Sequence, residues 1–140
     1  MSHTTSSHET PSADLSIRVR YFETDQMGVA HHSHYFVWFE AARSEFGRKY
    51  GIDYSQMEKD GLFMPVLEAR CRYRLPARYD DLLNVTAMVI ERTRRTLRLR
   101  YTVTRDGIVL AEGETTQMLI DRQGKPRSFA ADIAARFDGA

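Results

Sequence analysis

From Leu15 onward, apolar and polar positions alternate. Leu15, Ile17, Val19 and Tyr21 fall on one side, and Ser16, Arg18 and Arg20 on the other. A period of two predicts a half-buried strand. After a loop around Gly28 the period changes. Tyr35, Phe39, Ala42, Phe46 and Tyr50 recur at helical spacing across His34–Tyr50, and Phe36, Val37 and Trp38 widen the apolar arc. So wide an arc predicts a helix buried on most sides. Ser33 is the expected N-cap and Gly51 the expected C-terminal stop. A shorter helical piece is read over Tyr54–Lys59, ended by Asp60-Gly61.

From there the chain is mostly strand. Val66 to Leu75 alternates and stops at Pro76; Leu83 to Arg92 is a second run and Leu97 to Thr104 a third. Arg105-Asp106-Gly107 reads as a hairpin turn, because Asp-Gly supplies the positive φ angles of a tight turn. Ile108 to Ile120 returns, a turn follows over Asp121 to Pro126, and residues 129–137 read as a short terminal helix. The succession of strand, long buried helix and four further antiparallel strands predicts an α+β layer pair, with about five strands against one helix. Such a sheet leaves edges that a second subunit can pair or cover, so a dimer is expected.

Composition narrows this picture little. The chain has 140 residues and a formal charge of +1, so no global field points to nucleic acid. Only Lys49, Lys59 and Lys125 are lysines; the other seventeen cations are arginines. The planar guanidinium suits phosphates and carboxylates, although high-GC codon usage produces the same skew. The single cysteine, Cys71, excludes an intrachain disulfide framework and fits a reducing compartment. No apolar run approaches the ~20 residues of a membrane span. Residues 1–13 read as a disordered polar tail without the apolar core of a secretory signal, and residues 14–140 as one domain. A cytoplasmic protein is expected.

The candidate chemistry lies in TDQMGVAHHSHYFVWFE, residues 24–40. Asp25 follows the first strand and precedes the helix, which brings its carboxylate toward the unpaired N–H groups and positive dipole of a helix N-terminus. That pairing suits acyl chemistry: N–H groups polarise a carbonyl while a carboxylate attacks it or activates water. An Asp that only caps a turn would look the same in sequence. Gly28 frees the backbone to turn and lets a ligand approach. His31, His32 and His34 match no usual zinc spacing, so no metal or other cofactor is expected, and one histidine is read as orienting substrate or acid. Glu40 and Arg43 are either a helical ion pair or, for Glu40, a pocket group. Arg92, Arg94, Arg95, Arg98 and Arg100 are either a solvated hairpin face or contacts to the phosphates of a nucleotide-bearing thioester.

The run from Tyr21 to Arg43 also resembles the signature of the hotdog-fold acyl-CoA thioesterases. The resemblance is to the 4-hydroxybenzoyl-CoA thioesterase branch, and within it to small bacterial enzymes of the Tol-Pal-associated (YbgC-like) type. The shared pattern is Tyr21, Asp25, Gly28, His32, Tyr35 and the Glu40-Ala-Ala-Arg43 segment, and Pro76 to Leu82 resembles the family's strand connection. Carried over by position, the resemblance implies that Asp25 is nucleophile or general base, with Tyr21 and His32 supporting it. It implies that the backbone around His32 to Tyr35 polarises the thioester carbonyl. Gly28, Tyr35 and Glu40 within this pattern, and Arg95 and Arg98 from the arginine cluster read above, are the candidate substrate contacts. His31 and His34 stand where many relatives have Tyr and Asn. The family implies a homodimer with two interfacial sites, often paired into a homotetramer. An acyl-carrier-protein substrate and a non-catalytic acyl-binding dimer are the competing expectations. A hydratase is disfavoured, because the D-x-N-P-x-H pattern of that branch is missing.

Overall fold

The computed structural model describes residues 10–139. The strands are β1 (Ser12–Arg18), β2 (Val66–Tyr73), β3 (Leu82–Arg92), β4 (Thr96–Arg105) and β5 (Ile108–Met118). The helices are α1 (His34–Tyr50), α2 (Tyr54–Lys59) and α3 (Ala131–Phe137). β1 begins inside the segment read as a tail, with Ala13 buried opposite Ala87 of β3. The expectation of disorder for residues 1–9 lies outside the described residues.

The five strands form one antiparallel sheet in the order β1-β3-β4-β5-β2. Of the four later strands, only β3, β4 and β5 form a meander. β2 pairs with β5 at the far edge, and β1 with β3 at the other. Asp106 (φ 51°) and Gly107 (φ 79°) make the β4–β5 turn as the Asp-Gly pair predicts. Inward positions alternate as the pattern requires: Leu83, Val85, Ala87 and Val89 on β3, and Leu97, Leu99, Tyr101 and Val103 on β4.

The sheet packs against α1, which buries Tyr35, Trp38, Phe39, Ala42, Phe46 and Gly47. Its buried arc is narrower than the sequence suggests, because Val37 is 54% exposed. Phe39 stacks on Tyr101 at 4.4 Å, and burial of each such aromatic contributes about 2–3 kcal/mol. The helix comes this close because β5 has Gly113 beneath Phe39. A Cβ there would overlap the ring and lie 2.7 Å from the Arg70 carbonyl oxygen. Gly51 ends α1 with a left-handed φ of 71°, and the Asp53 side chain caps α2 by accepting from Gln56 N–H. Ser33 stands at the expected N-cap position but makes no side-chain cap: its backbone is already helical, and its hydroxyl pairs with His31 Nδ1 at 2.8 Å. No helix among the described residues is long and apolar enough to cross a membrane.

Candidate active site

Asp25 sits at the turn of a small hairpin that leaves β1 and leads into α1. The Thr24–Ala30 bridge joins its limbs, and Asp25 N–H donates to Val29 O at 2.9 Å. Gly28 N–H returns to Asp25 O at 3.0 Å, and Met27 N–H donates to Asp25 Oδ1 at 2.8 Å. Gly28 has φ 78° with open space where a Cβ would stand, so backbone conformation, not crowding, calls for glycine. The carboxylate is exposed, with Oδ2 unbonded among the described residues.

The hairpin is anchored on three sides. Ala30 N–H donates to Ala77 O at 2.7 Å, Val29 bridges Arg78, and His31 N–H donates to Glu23 O at 2.8 Å. The anchoring loop is itself tied down: Asp81 accepts from Arg78 N–H (2.8 Å) and from Arg105 (2.7 Å). Burial pushes the Asp81 carboxyl up, but these donors outweigh it and hold it below the ordinary aspartate value.

The hairpin ends at the tip of α1. His34 N–H and Tyr35 N–H close short turns onto His31 O (3.1 Å) and His32 O (3.3 Å). Tyr73 of β2 donates its hydroxyl to the same His32 carbonyl at 3.0 Å. Burial first, and then the nearby Cys71 thiol, raise the Tyr73 phenol, which therefore stays a donor. The His32 N–H has no acceptor among the described residues. An exposed carboxylate and a free N–H thus share one end of the molecule, at the positive end of a helix.

The other expected residues fall less neatly. Tyr21 is 77% exposed and packs edge-on against Tyr79, not on Asp25. Tyr35 belongs to the core, against Trp38 and Tyr73, and burial raises its phenol. The His31 and His32 rings lie together, 4.1 Å apart. Glu40 is exposed, only 3.9 Å from Arg43 at closest; the firmer bond of Arg43 is to Tyr101 Oη at 3.0 Å. Arg95 and Arg98 are not brought to Asp25 within one protomer. Arg98 stands seven residues along β4 from Arg105, which is about 23 Å at strand rise, and pairs with Glu114 and Glu91. Arg92 holds Asp138, and Arg100 leans on Glu114. The arginine cluster is thus largely an ion-paired outer face.

Sequence reading missed Glu23 and Tyr73. Glu23 is fully buried and accepts from Trp38 Nε1 at 2.9 Å. Its one sequence signal was indirect: a lone tryptophan in a core helix needs an acceptor for its indole N–H.

A sheet curled on one long helix, with an acid-bearing hairpin at the helix tip, defines the hotdog class of α+β protein. The sequence profile of the Thioesterase-like superfamily matches residues 19–137. A putative esterase of Aquifex aeolicus is 38% identical over 116 residues, 83% of this chain and 90% of that protein. The acyl-CoA thioesterase YbgC of Haemophilus influenzae is 30% identical over 125 residues, 86% of this chain and 90% of that one. Among solved structures, a DHNA-CoA thioesterase from Staphylococcus aureus superposes with a TM-score of 0.87 at 28% identity, covering 91% of this chain and 89% of that one. The chain belongs to the thioesterase-like superfamily.

Proposed function

We propose that the protein hydrolyses acyl-CoA thioesters to the free acid and CoA, with Asp25 and the His32 N–H as its working groups. The observation that carries this is that an Asp25 oxygen and the His32 N–H, both without a partner among the described residues, lie on the one hairpin that ends at the tip of α1. The N–H accepts the developing oxyanion, and the carboxylate attacks the carbonyl carbon or takes a proton from the attacking water. The names of the YbgC relatives support the CoA thioester as substrate.

A homodimer completes the site. β2 is exposed along almost its whole length, including Val66, Leu67 and Tyr73, and its outer edge is unpaired among the described residues. Such an edge is a template for a second strand. If two copies of β2 pair antiparallel across a two-fold, the Tyr73 end of each lies beside the Val66 end of the other. Near that Val66 end, a recess of about 250 Å³ is lined by Glu40, Arg43, Met57, Phe63, Met64 and Gln117. The pairing brings one protomer's Asp25 to the other's recess, which receives the acyl group. It also turns the other's Arg95–Arg98 end toward the site, where a CoA phosphate or an acidic acyl carrier protein would meet it. Pairing of two dimers gives a homotetramer, and a single reduced cysteine suits the cytoplasm.

The test is thiol release by wild type and Asp25→Asn across short, long and aromatic acyl-CoAs. Asn keeps the oxygen that accepts from Met27 N–H, so the hairpin survives while the charge is lost. A fall of about 10²–10⁴-fold is expected. Activity within tenfold of wild type would remove Asp25 from the mechanism. No turnover by either protein would redirect the assay to acyl-carrier-protein thioesters or to binding alone.

A further inference from the structure

Glu23 stands two residues before Asp25, yet no part of it reaches solvent. A carboxylate leaves water only where partners compensate it. Oε1 accepts from Arg20 N–H at 2.7 Å, and Oε2 accepts from Trp38 Nε1 at 2.9 Å and Arg20 Nη2 at 3.3 Å. Burial alone would raise this carboxyl; the three donors overcome that and hold it below the ordinary glutamate value. The Glu23 main-chain oxygen meanwhile accepts from His31 N–H at 2.8 Å.

One residue therefore joins three segments: the turn before Asp25, the limb leading to His32, and α1. Core stability does not demand an acid here, because an apolar side chain of similar volume fills such a space at no electrostatic cost. What a carboxylate adds is direction. It accepts three N–H groups at fixed angles, two from Arg20 ahead of the turn and one from Trp38 on α1. Without it, the turn could slide over the Trp38 ring, carrying Asp25 with it.

We infer that Glu23 is a positioning residue: through Trp38 and the Glu23–His31 bond it sets where the Asp25 carboxylate stands relative to the His32 N–H. This rests on the reading of those two groups as the working pair. A displacement of about 1 Å costs on the order of 10²-fold in rate, and this lock is what prevents it.

Glu23→Gln keeps the volume but turns an NH₂ group toward an N–H donor; Trp38→Phe keeps an aromatic ring and removes the donor. Each is expected to lower kcat by about 10–100-fold with KM nearly unchanged, measured on folded protein. The double variant falls well short of the product of the two single losses, since both changes loosen the same Glu23–Trp38 connection. Trp38 is the only tryptophan in the chain, so its emission reports the bond without substrate. That emission shifts in Glu23→Gln and stays put in Asp25→Asn. Variants that keep the wild-type kcat per folded molecule, or an emission unmoved in Glu23→Gln, overturn the positioning role alone. A wild type that hydrolyses no thioester removes the functional reading itself, and the positioning role with it.

Discussion

Replacing Gly113 by alanine tests the closeness of helix and sheet on which the site depends. The added Cβ would lie 2.6 Å from Phe39 Cζ and 2.7 Å from the Arg70 carbonyl oxygen, where carbon contacts normally begin at about 3.5 Å. Neither neighbour can retreat easily. Arg70 O is backbone in β2, and Phe39 is stacked on Tyr101. The Tyr101 hydroxyl is in turn held by Arg43 (3.0 Å) and Thr115 (2.7 Å). Overpacking of this kind costs about 1–3 kcal/mol, and the rigid surroundings place Gly113→Ala in the upper half of that range. At roughly 4 °C per kcal/mol for a domain of this size, the melting midpoint falls by about 8–12 °C. The assay is denaturant unfolding of Gly113→Ala, Phe39→Leu and the pair. Leucine withdraws the ring edge, so the double variant recovers about 1–2 kcal/mol relative to the sum of the singles. A loss below about 0.5 kcal/mol for Gly113→Ala, or strict additivity of the pair, would refute the claim that contact between ring and glycine sets the helix height.

Two further outcomes concern charge. The folded-state carboxyl of Asp81 is depressed, so its stabilisation is present above the unfolded value of about 3.9 and disappears as pH falls through the folded value. Melting midpoints should therefore fall below roughly pH 4, and Asp81→Asn should flatten that acid limb; an unchanged limb would exclude the Arg105–Asp81 tie as its cause. On the outer face, Glu114 gathers Arg70 (2.8 Å), Arg98 (2.9 Å) and Arg100 (3.7 Å). Glu114→Gln leaves three converging cations and should lower stability at low salt by no more than about 1 kcal/mol, with the deficit shrinking near 1 M NaCl, where the Debye length is about 3 Å. A deficit insensitive to salt would mean packing, not charge, is responsible.

Much of the fold was legible from the chain because it is encoded locally. Alternation marked β1 and β3 to β5, helical spacing marked α1, and Asp106-Gly107 marked its turn, since each depends on residues a few positions apart. The Asp25–Gly28 loop could be read in the same way: an acid and a glycine between a strand and a helix imply a turn at a helix tip. Local signals also mislead. Ser33 has the chemistry of an N-cap, but its hydroxyl found His31 instead. Val37 looked like part of the buried arc, yet one sheet covers only one side of a helix.

The tertiary structure decided whatever required residues distant in sequence to meet. Periodicity says that β2 is a strand but not that it passes β3 to pair with β5, because a pairing partner leaves no mark within the strand itself. That placement exposes the edge on which the dimer reading rests, and it separates Arg95 and Arg98 from Asp25 within one protomer. Glu23 shows the same limit at the site. In sequence it is one acid among nineteen acidic residues. Only the arrival of Trp38, fifteen residues later, makes it a buried anchor, because burial of a charge is a property of its surroundings and not of its residue type.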